Sequence, residues 1–185
     1  MQKIFSQDLR FKDENGKGYG KWERKLLSDL ARIMYGKDQK QVADENGKYP
    51  ILGTGGVMGK TNKFLYDKPS VLIGRKGTID KPVYMDTPFW TVDTLFYTEV
   101  FPNTLPKWLF FKFQTINWYE YNEASGVPSL SGSTIYKIKI ELPSLAEQAK
   151  IANFLSAIDE KLNHCNVQIE KMGEWKKGLL QKMFC

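Results

Sequence analysis

Two cysteines, one histidine and no long apolar run are what this 185-residue sequence has least of, and each shortage removes a class of function. Cys165 and Cys185 stand twenty residues apart and His164 is the single histidine, so no ligand set has the spacing of a zinc site. That histidine lies beside no nucleophile pattern, which excludes a histidine-dependent hydrolytic triad and leaves His164 as a solvated helix-face residue. The longest apolar runs are short, such as Leu109-Phe110-Phe111, and Met1-Gln2-Lys3-Ile4-Phe5 lacks the apolar core of a signal peptide. A cytoplasmic protein that does not engage a membrane is therefore expected. Missing too are a glycine-rich fingerprint for a dinucleotide or S-adenosylmethionine, an Asn-Pro-Pro-aromatic tetrad and an acidic–lysine nuclease constellation. The chain reads as a binder without a catalyst of its own.

What is present begins with charge. Lysine and arginine number 27 against 21 acidic residues, a net charge of +6, and the pI near 9.1 permits a polyanionic partner. Residues 1–143 carry 21 basic and 16 acidic side chains, residues 144–185 six and five, so the excess lies in the first part. With 42% hydrophobic and 26% charged residues, the length suits one domain plus an appendage.

The appendage is the easiest segment to read. Pro143 marks a boundary, and Ser144-Leu145-Ala146-Glu147 has the form of a capping box. From Ile151 a seven-residue register places Ile151, Leu155, Ile158, Leu162, Cys165, Ile169, Met172, Lys176, Leu179 and Met183 on one seam; nine of the ten are apolar and no proline interrupts them. That pattern predicts a coiled-coil helix, with Leu155, Ile158, Leu162, Ile169, Met172 and Leu179 as its pairing residues. Gly173 and Gly178 each cost about 1 kcal/mol against alanine, so the helix depends on a partner. Forty helical residues would extend about 60 Å, too long to bury a stripe on so small a domain. The alternative is a helix folded back onto its own domain.

Residues 21–143 read as a mixed α/β (α+β) domain, preceded by a short segment, 1–20. Trp22–Met34 carries Leu26, Leu27, Leu30 and Ile33 at spacings that predict an amphipathic helix. Strands are expected at Tyr49–Leu52, Ser70–Ile73, Pro82–Met85 and Thr94–Tyr97, each bounded by Gly, Pro, Asp or Asn. Pro106–Ile116 predicts a second helix, and Tyr136–Leu142 a half-exposed strand leading into the long one.

Three segments carry candidate chemistry. Gly53-Thr54-Gly55-Gly56-Val57-Met58-Gly59-Lys60-Thr61 approaches a phosphate-binding P-loop but has Thr54 where the spacing needs glycine, which disfavours nucleotide hydrolysis. Its backbone N–H groups still suit a DNA phosphate. Positions 60–82 hold Lys60, Lys63, Lys68, Arg75, Lys76 and Lys81 against Asp67 and Asp80, a local +4, with Arg75 and Lys76 on a tight Gly74–Thr78 turn. The third is the hydroxyl-rich loop Ser125–Thr134. Thr54, Lys60, Asn62, Lys63, Arg75, Lys76, Ser129 and Ser131 are the candidate DNA contacts, Arg75 being suited to a base edge in the major groove.

The helix start Leu142-Pro143-Ser144-Leu145-Ala146-Glu147-Gln148-Ala149-Lys150-Ile151-Ala152-Asn153-Phe154-Leu155-Ser156-Ala157-Ile158-Asp159 resembles the "LP…EQ…IA…L…ID" segment of type I restriction-modification specificity subunits (HsdS). Lys177–Phe184 is similar to the end of the same helix. Leu9–Gly16 with Trp22-Glu23, Tyr49–Gly53, Gly74–Thr78 and Phe89-Trp90 with Asp93 are similar to that family's target-recognition domain. The resemblance implies a target-recognition domain at 21–143 that reads half of a bipartite DNA site. It implies a conserved helix at 144–185 that pairs antiparallel with its counterpart and docks modification subunits. S-adenosylmethionine, ATP and magnesium would then belong to partner modification and restriction subunits, with no cofactor in this chain.

A full specificity subunit has two such domains and two helices, and here there is one of each. Gln2-Lys3-Ile4-Phe5 matches Gln181-Lys182-Met183-Phe184 at an offset of 179 residues, so the opening residues resemble the end of a preceding helix and 1–20 a helix end plus linker. Two arrangements follow: one half of a longer subunit, or a half-subunit that homodimerises. A coiled-coil adaptor without specific DNA binding is the rival from another class, distinguished by the salt dependence of DNA binding.

Overall fold

Five consecutive buried residues, Ser70–Gly74, form the strand on which the domain is built (β5), as an uninterrupted apolar run between turn residues requires. The computed structural model describes residues 1–184; Cys185 lies outside the described residues. In chain order the elements are α1 (Gln2–Phe5), β1 (Glu23–Leu26), β2 (Ala31–Tyr35), β3 (Tyr49–Gly53), β4 (Gly56–Thr61), β5, β6 (Val83–Met85), β7 (Trp90–Thr91), β8 (Leu95–Val100), α2 (Pro106–Phe113), α3 (Gly132–Tyr136), β9 (Lys139–Leu142) and α4 (Leu145–Phe184).

The largest sheet has the order β2-β8-β5-β6, antiparallel throughout. Strand alternation sends Val71 and Ile73 to one face and Leu72 to the other. On the first face they join Ile33, Phe96, Trp108, Phe111 and Ile135 in the main core. On the second, Leu72, Leu95 and Tyr97 meet Leu52 and Phe89. Both faces are thus covered, which accounts for the lack of polar alternation in β5. A three-stranded sheet, β4-β3-β7, and a two-stranded ladder, β1-β9, complete the domain. No helix among the described residues is long and apolar enough to cross a membrane.

The expected strands around residues 49, 70, 83 and 95 are all present, and helix α2 starts at Pro106 as expected. It stops at Phe113, whose carbonyl accepts from the Trp118 indole N–H at 2.9 Å. The expected helix over Trp22–Met34 is not formed. That segment is β1, a 3₁₀ turn at Leu27–Asp29, and β2. The Asp29 carboxylate accepts the Leu26 amide at 2.9 Å, and the Leu27 amide donates to the Ile138 carbonyl at 2.9 Å, so a short acidic side chain and a long-range ladder break the helical register. The strand leading into the long helix is also shorter than expected, because Gly132–Tyr136 is helical; Ile138, Ile140 and Leu142 are buried while Lys139 is exposed.

Helix α4 leaves from β9 and has two regimes. Ile151, Ala152 and Leu155 are buried in the main core, at roughly 1.5–3 kcal/mol for each large side chain. From Ala157 onward the helix stands almost wholly in solvent, with Leu162 57% and Ile169 63% exposed. It does not fold back. Leu155, expected to pair with another helix, is only 4% exposed and belongs to the docking face instead.

The docking face is pinned by buried polar groups. The Glu147 carboxylate accepts from Arg10 Nε and Nη2, both at 2.9 Å, and from the Trp22 indole at 2.8 Å. The Gln148 amide donates to the Pro143 and Asn103 carbonyls and accepts the Leu105 amide at 2.7 Å. The capping box is therefore only half made: the Ser144 hydroxyl receives the Glu147 amide at 3.4 Å, but the Glu147 carboxylate is taken by Arg10 and Trp22. Residues 1–20 are tied down by the same contacts, and by Ile4 and Phe5 in the core.

Candidate nucleic-acid interface

The glycine-rich segment Gly53–Thr61 is a β-hairpin, with Thr54 and Gly55 at its turn and Gly56 at φ +109°. A nucleotide-binding P-loop opens a helix at this point, whereas here the chain returns as β4. The turn abuts a second loop that follows β5. Within that loop a Cβ at Gly74 would run into the Thr78 carbonyl, and Gly77 adopts φ +87°, which favours glycine. A Cβ at Gly77 would lie 3.6 Å from the Thr54 hydroxyl oxygen, so the two turns touch.

A third connection closes the site. The Gly77 amide donates to the Pro128 carbonyl at 2.9 Å, Lys76 bridges Ser129, and the Leu130 amide donates to the Arg75 carbonyl at 2.9 Å. Tyr35, Arg75, Lys76, Glu123, Ser129, Leu130 and Ser131 line a cleft of about 210 Å³. Four of the eight candidate contacts, Arg75, Lys76, Ser129 and Ser131, are thereby brought to one place, with Thr54 beside them.

Arg75 is held at its inner end. Nη1 donates to the Asp93 carbonyl at 3.1 Å, and the guanidinium lies 5.5 Å from the Tyr35 ring centre. Nε and Nη2 have no protein acceptor among the described residues. Ser131 caps α3 by receiving the Thr134 amide at 3.2 Å. Its hydroxyl donates to Glu123 Oε1 at 2.6 Å, and the Thr134 hydroxyl donates to the same oxygen. These two hydroxyls hold the Glu123 carboxyl below the usual carboxylate range.

Lys60, Asn62 and Lys63 are not in this cleft. Lys60 lies near the far end of β4, about 13 Å along the strand from its turn, and Asn62 and Lys63 just beyond it, at about 20 Å or more. The Asn62 amide donates to Asp44 at 2.7 Å, and Lys60 borders a cavity with Asp44 and Glu45. Lys60 and Arg75 of the local +4 thus lie in two places, each with acid beside it: Asp44 and Glu45 at the first, Glu123 and Asp93 at the second. Tyr35 and Glu123 are the cleft residues that sequence reasoning missed. Reading residues 31–35 as a strand would have found Tyr35 at its end; no local signal marks Glu123. Cys165 and His164 are exposed on α4, and no group of three or more His, Cys, Asp or Glu is placed to hold a metal ion among the described residues.

Residues 19–171 match the model of the type I restriction modification DNA specificity domain. The chain belongs to that family. The chain is 29% identical over 205 residues to the type I restriction enzyme MjaVIII specificity subunit of Methanocaldococcus jannaschii, covering 97% of this chain and 46% of that protein. To the type I restriction enzyme EcoprrI specificity subunit of Escherichia coli it is 26% identical over 163 residues, 85% of this chain and 40% of that one. The fold is shared with the crystal structure of the type I restriction-modification system S subunit from M. genitalium, with a TM-score of 0.70, 20% identity and coverage of 88% of this chain and 44% of that one. This specificity-domain chain spans less than half the length of the curated relatives it matches. The resemblance seen in the helix-start motif is therefore a true family relationship, with the mixed α+β domain and long C-terminal helix it implied.

Proposed function

We propose that this chain reads one half of a bipartite duplex DNA sequence and positions modification and restriction subunits on it. The observation that carries this reading is the convergence of three connections, after β3, after β5 and before α3, on one cleft lined by an arginine, a lysine and hydroxyls. Arg75 offers two unengaged N–H directions for a base edge. Lys76, Thr54 and Ser129 suit phosphate and sugar oxygens, with Lys60, Asn62 and Lys63 as flanking phosphate contacts; the Ser131 hydroxyl is already donated to Glu123 and shapes the cleft instead. Residues 21–143 would be the target-recognition domain and 144–185 the pairing and docking helix. No cofactor is assigned to this chain; S-adenosylmethionine, ATP and magnesium would be carried by the partner subunits.

The partner of α4 would be the corresponding helix of a second copy or of another such unit in the same subunit. Ile158, Leu162, Ile169, Met172 and Leu179 are exposed along one seam, a stripe that monomeric proteins rarely leave open. Charge is segregated along the exposed part of the helix: residues 157–170 hold three acidic side chains and one lysine, residues 171–184 four lysines and one glutamate. An antiparallel copy lays each region against its opposite, which supports antiparallel pairing and a site with two identical inverted halves.

Titrating duplex DNA against the chain at increasing salt tests the reading. Affinity should fall linearly in log–log form as neutralised phosphates release counterions. Absence of duplex binding at low salt would contradict it and leave the adaptor.

A further inference from the structure

Arg75 and Glu123 carry opposite charges into the same cleft, and no ion pair joins them. Each is instead held by its own anchors. Arg75 rests on Asp93, whose carbonyl accepts from Nη1 and whose carboxylate pairs with it at 3.9 Å, and on the Tyr35 ring, leaving Nε and Nη2 without protein partners among the described residues. Glu123 Oε1 is fixed by the hydroxyls of Ser131 and Thr134, and Oε2 has no donor among the described residues. Their backbones are braced by neighbouring residues: the Glu123 amide donates to the Ser129 carbonyl at 3.0 Å and the Leu130 amide to the Arg75 carbonyl at 2.9 Å. The cleft thus presents a donor fork and a carboxylate acceptor from a fixed frame.

A phosphate is a poor occupant, because the Glu123 carboxylate would face it with like charge. A base-pair edge is a good one. In the major groove a G·C pair shows two adjacent acceptors, guanine N7 and O6, followed by one donor, cytosine N4–H. An A·T pair offers no two adjacent acceptors to an arginine fork. Resting on the DNA-recognition reading above, we propose that Arg75 and Glu123 together read a single G·C base pair, Arg75 on guanine N7 and O6 and Glu123 on cytosine N4.

Selection of bound sequences from a pool of randomised duplexes, using the full chain and its Arg75→Ala, Arg75→Lys and Glu123→Gln variants, tests this. The wild-type chain should enrich a motif with a G·C pair at one position. Each variant should lose that preference by about 5- to 150-fold, at that position only. Arg75→Lys keeps the charge but not the fork, so a base contact is lost where a phosphate contact would survive. An enriched motif unchanged by the substitutions, variants that relax different positions, or Arg75 variants that weaken all sequences alike would overturn the base-pair assignment while DNA recognition stands. A pool that yields no motif for the wild-type chain would overturn both.

Discussion

Glu147 is 1% exposed and charged, and three N–H groups from Arg10 and Trp22 converge on it. Removing one partner of such a pair leaves the other desolvated and alone. Arg10→Ala, which strips the buried Glu147 carboxylate of its cation, should cost about 3–5 kcal/mol of stability, seen as a lower urea midpoint with an unchanged slope. In this chain Glu147 serves tertiary docking where the sequence pattern pointed to a local cap. At the cleft, Arg75→Ala should weaken binding to the cognate duplex by about 1–3 kcal/mol at fixed salt. Unchanged affinity would remove Arg75 from the interface.

On the scale of elements, α4 divides at about Ala157, and the two parts should answer mutation differently. Leu155→Ala opens a cavity in the domain core and should cost about 2–5 kcal/mol of unfolding free energy. Leu162→Glu, on the exposed seam, should leave the domain folded but convert a dimer to a monomer in sedimentation, because pairing would bury an unpartnered charge. A Leu162→Glu chain that remains dimeric would sink the pairing of α4. Elements whose apolar pattern is local are legible in the sequence, as β5 and the extent of α4 show. The Trp22–Met34 segment was not, because Leu26, Leu27, Leu30 and Ile33 fit a helical face as well as two strands joined by a turn. The choice was made by Asp29 and by pairing with β9 and β8, more than 60 residues away in sequence.

For the molecule as a whole, the candidate site was half legible. Arg75, Lys76 and the serines stood out as chemistry on turns. That they share a cleft with Tyr35 and Glu123, while Lys60, Asn62 and Lys63 do not, follows from how three loops close on one another. Under the proposed reading, one domain and one projecting helix would be half of a two-part reader, and pairing through α4 would supply the other half. The most direct measurement is the methylome of a strain with and without this chain. A methylated-adenine motif that disappears with the chain is the expected result, and two identical inverted halves in that motif are expected if the chain pairs with its own copy. Identical methylomes in the two strains would contradict a role in directing modification to a DNA sequence.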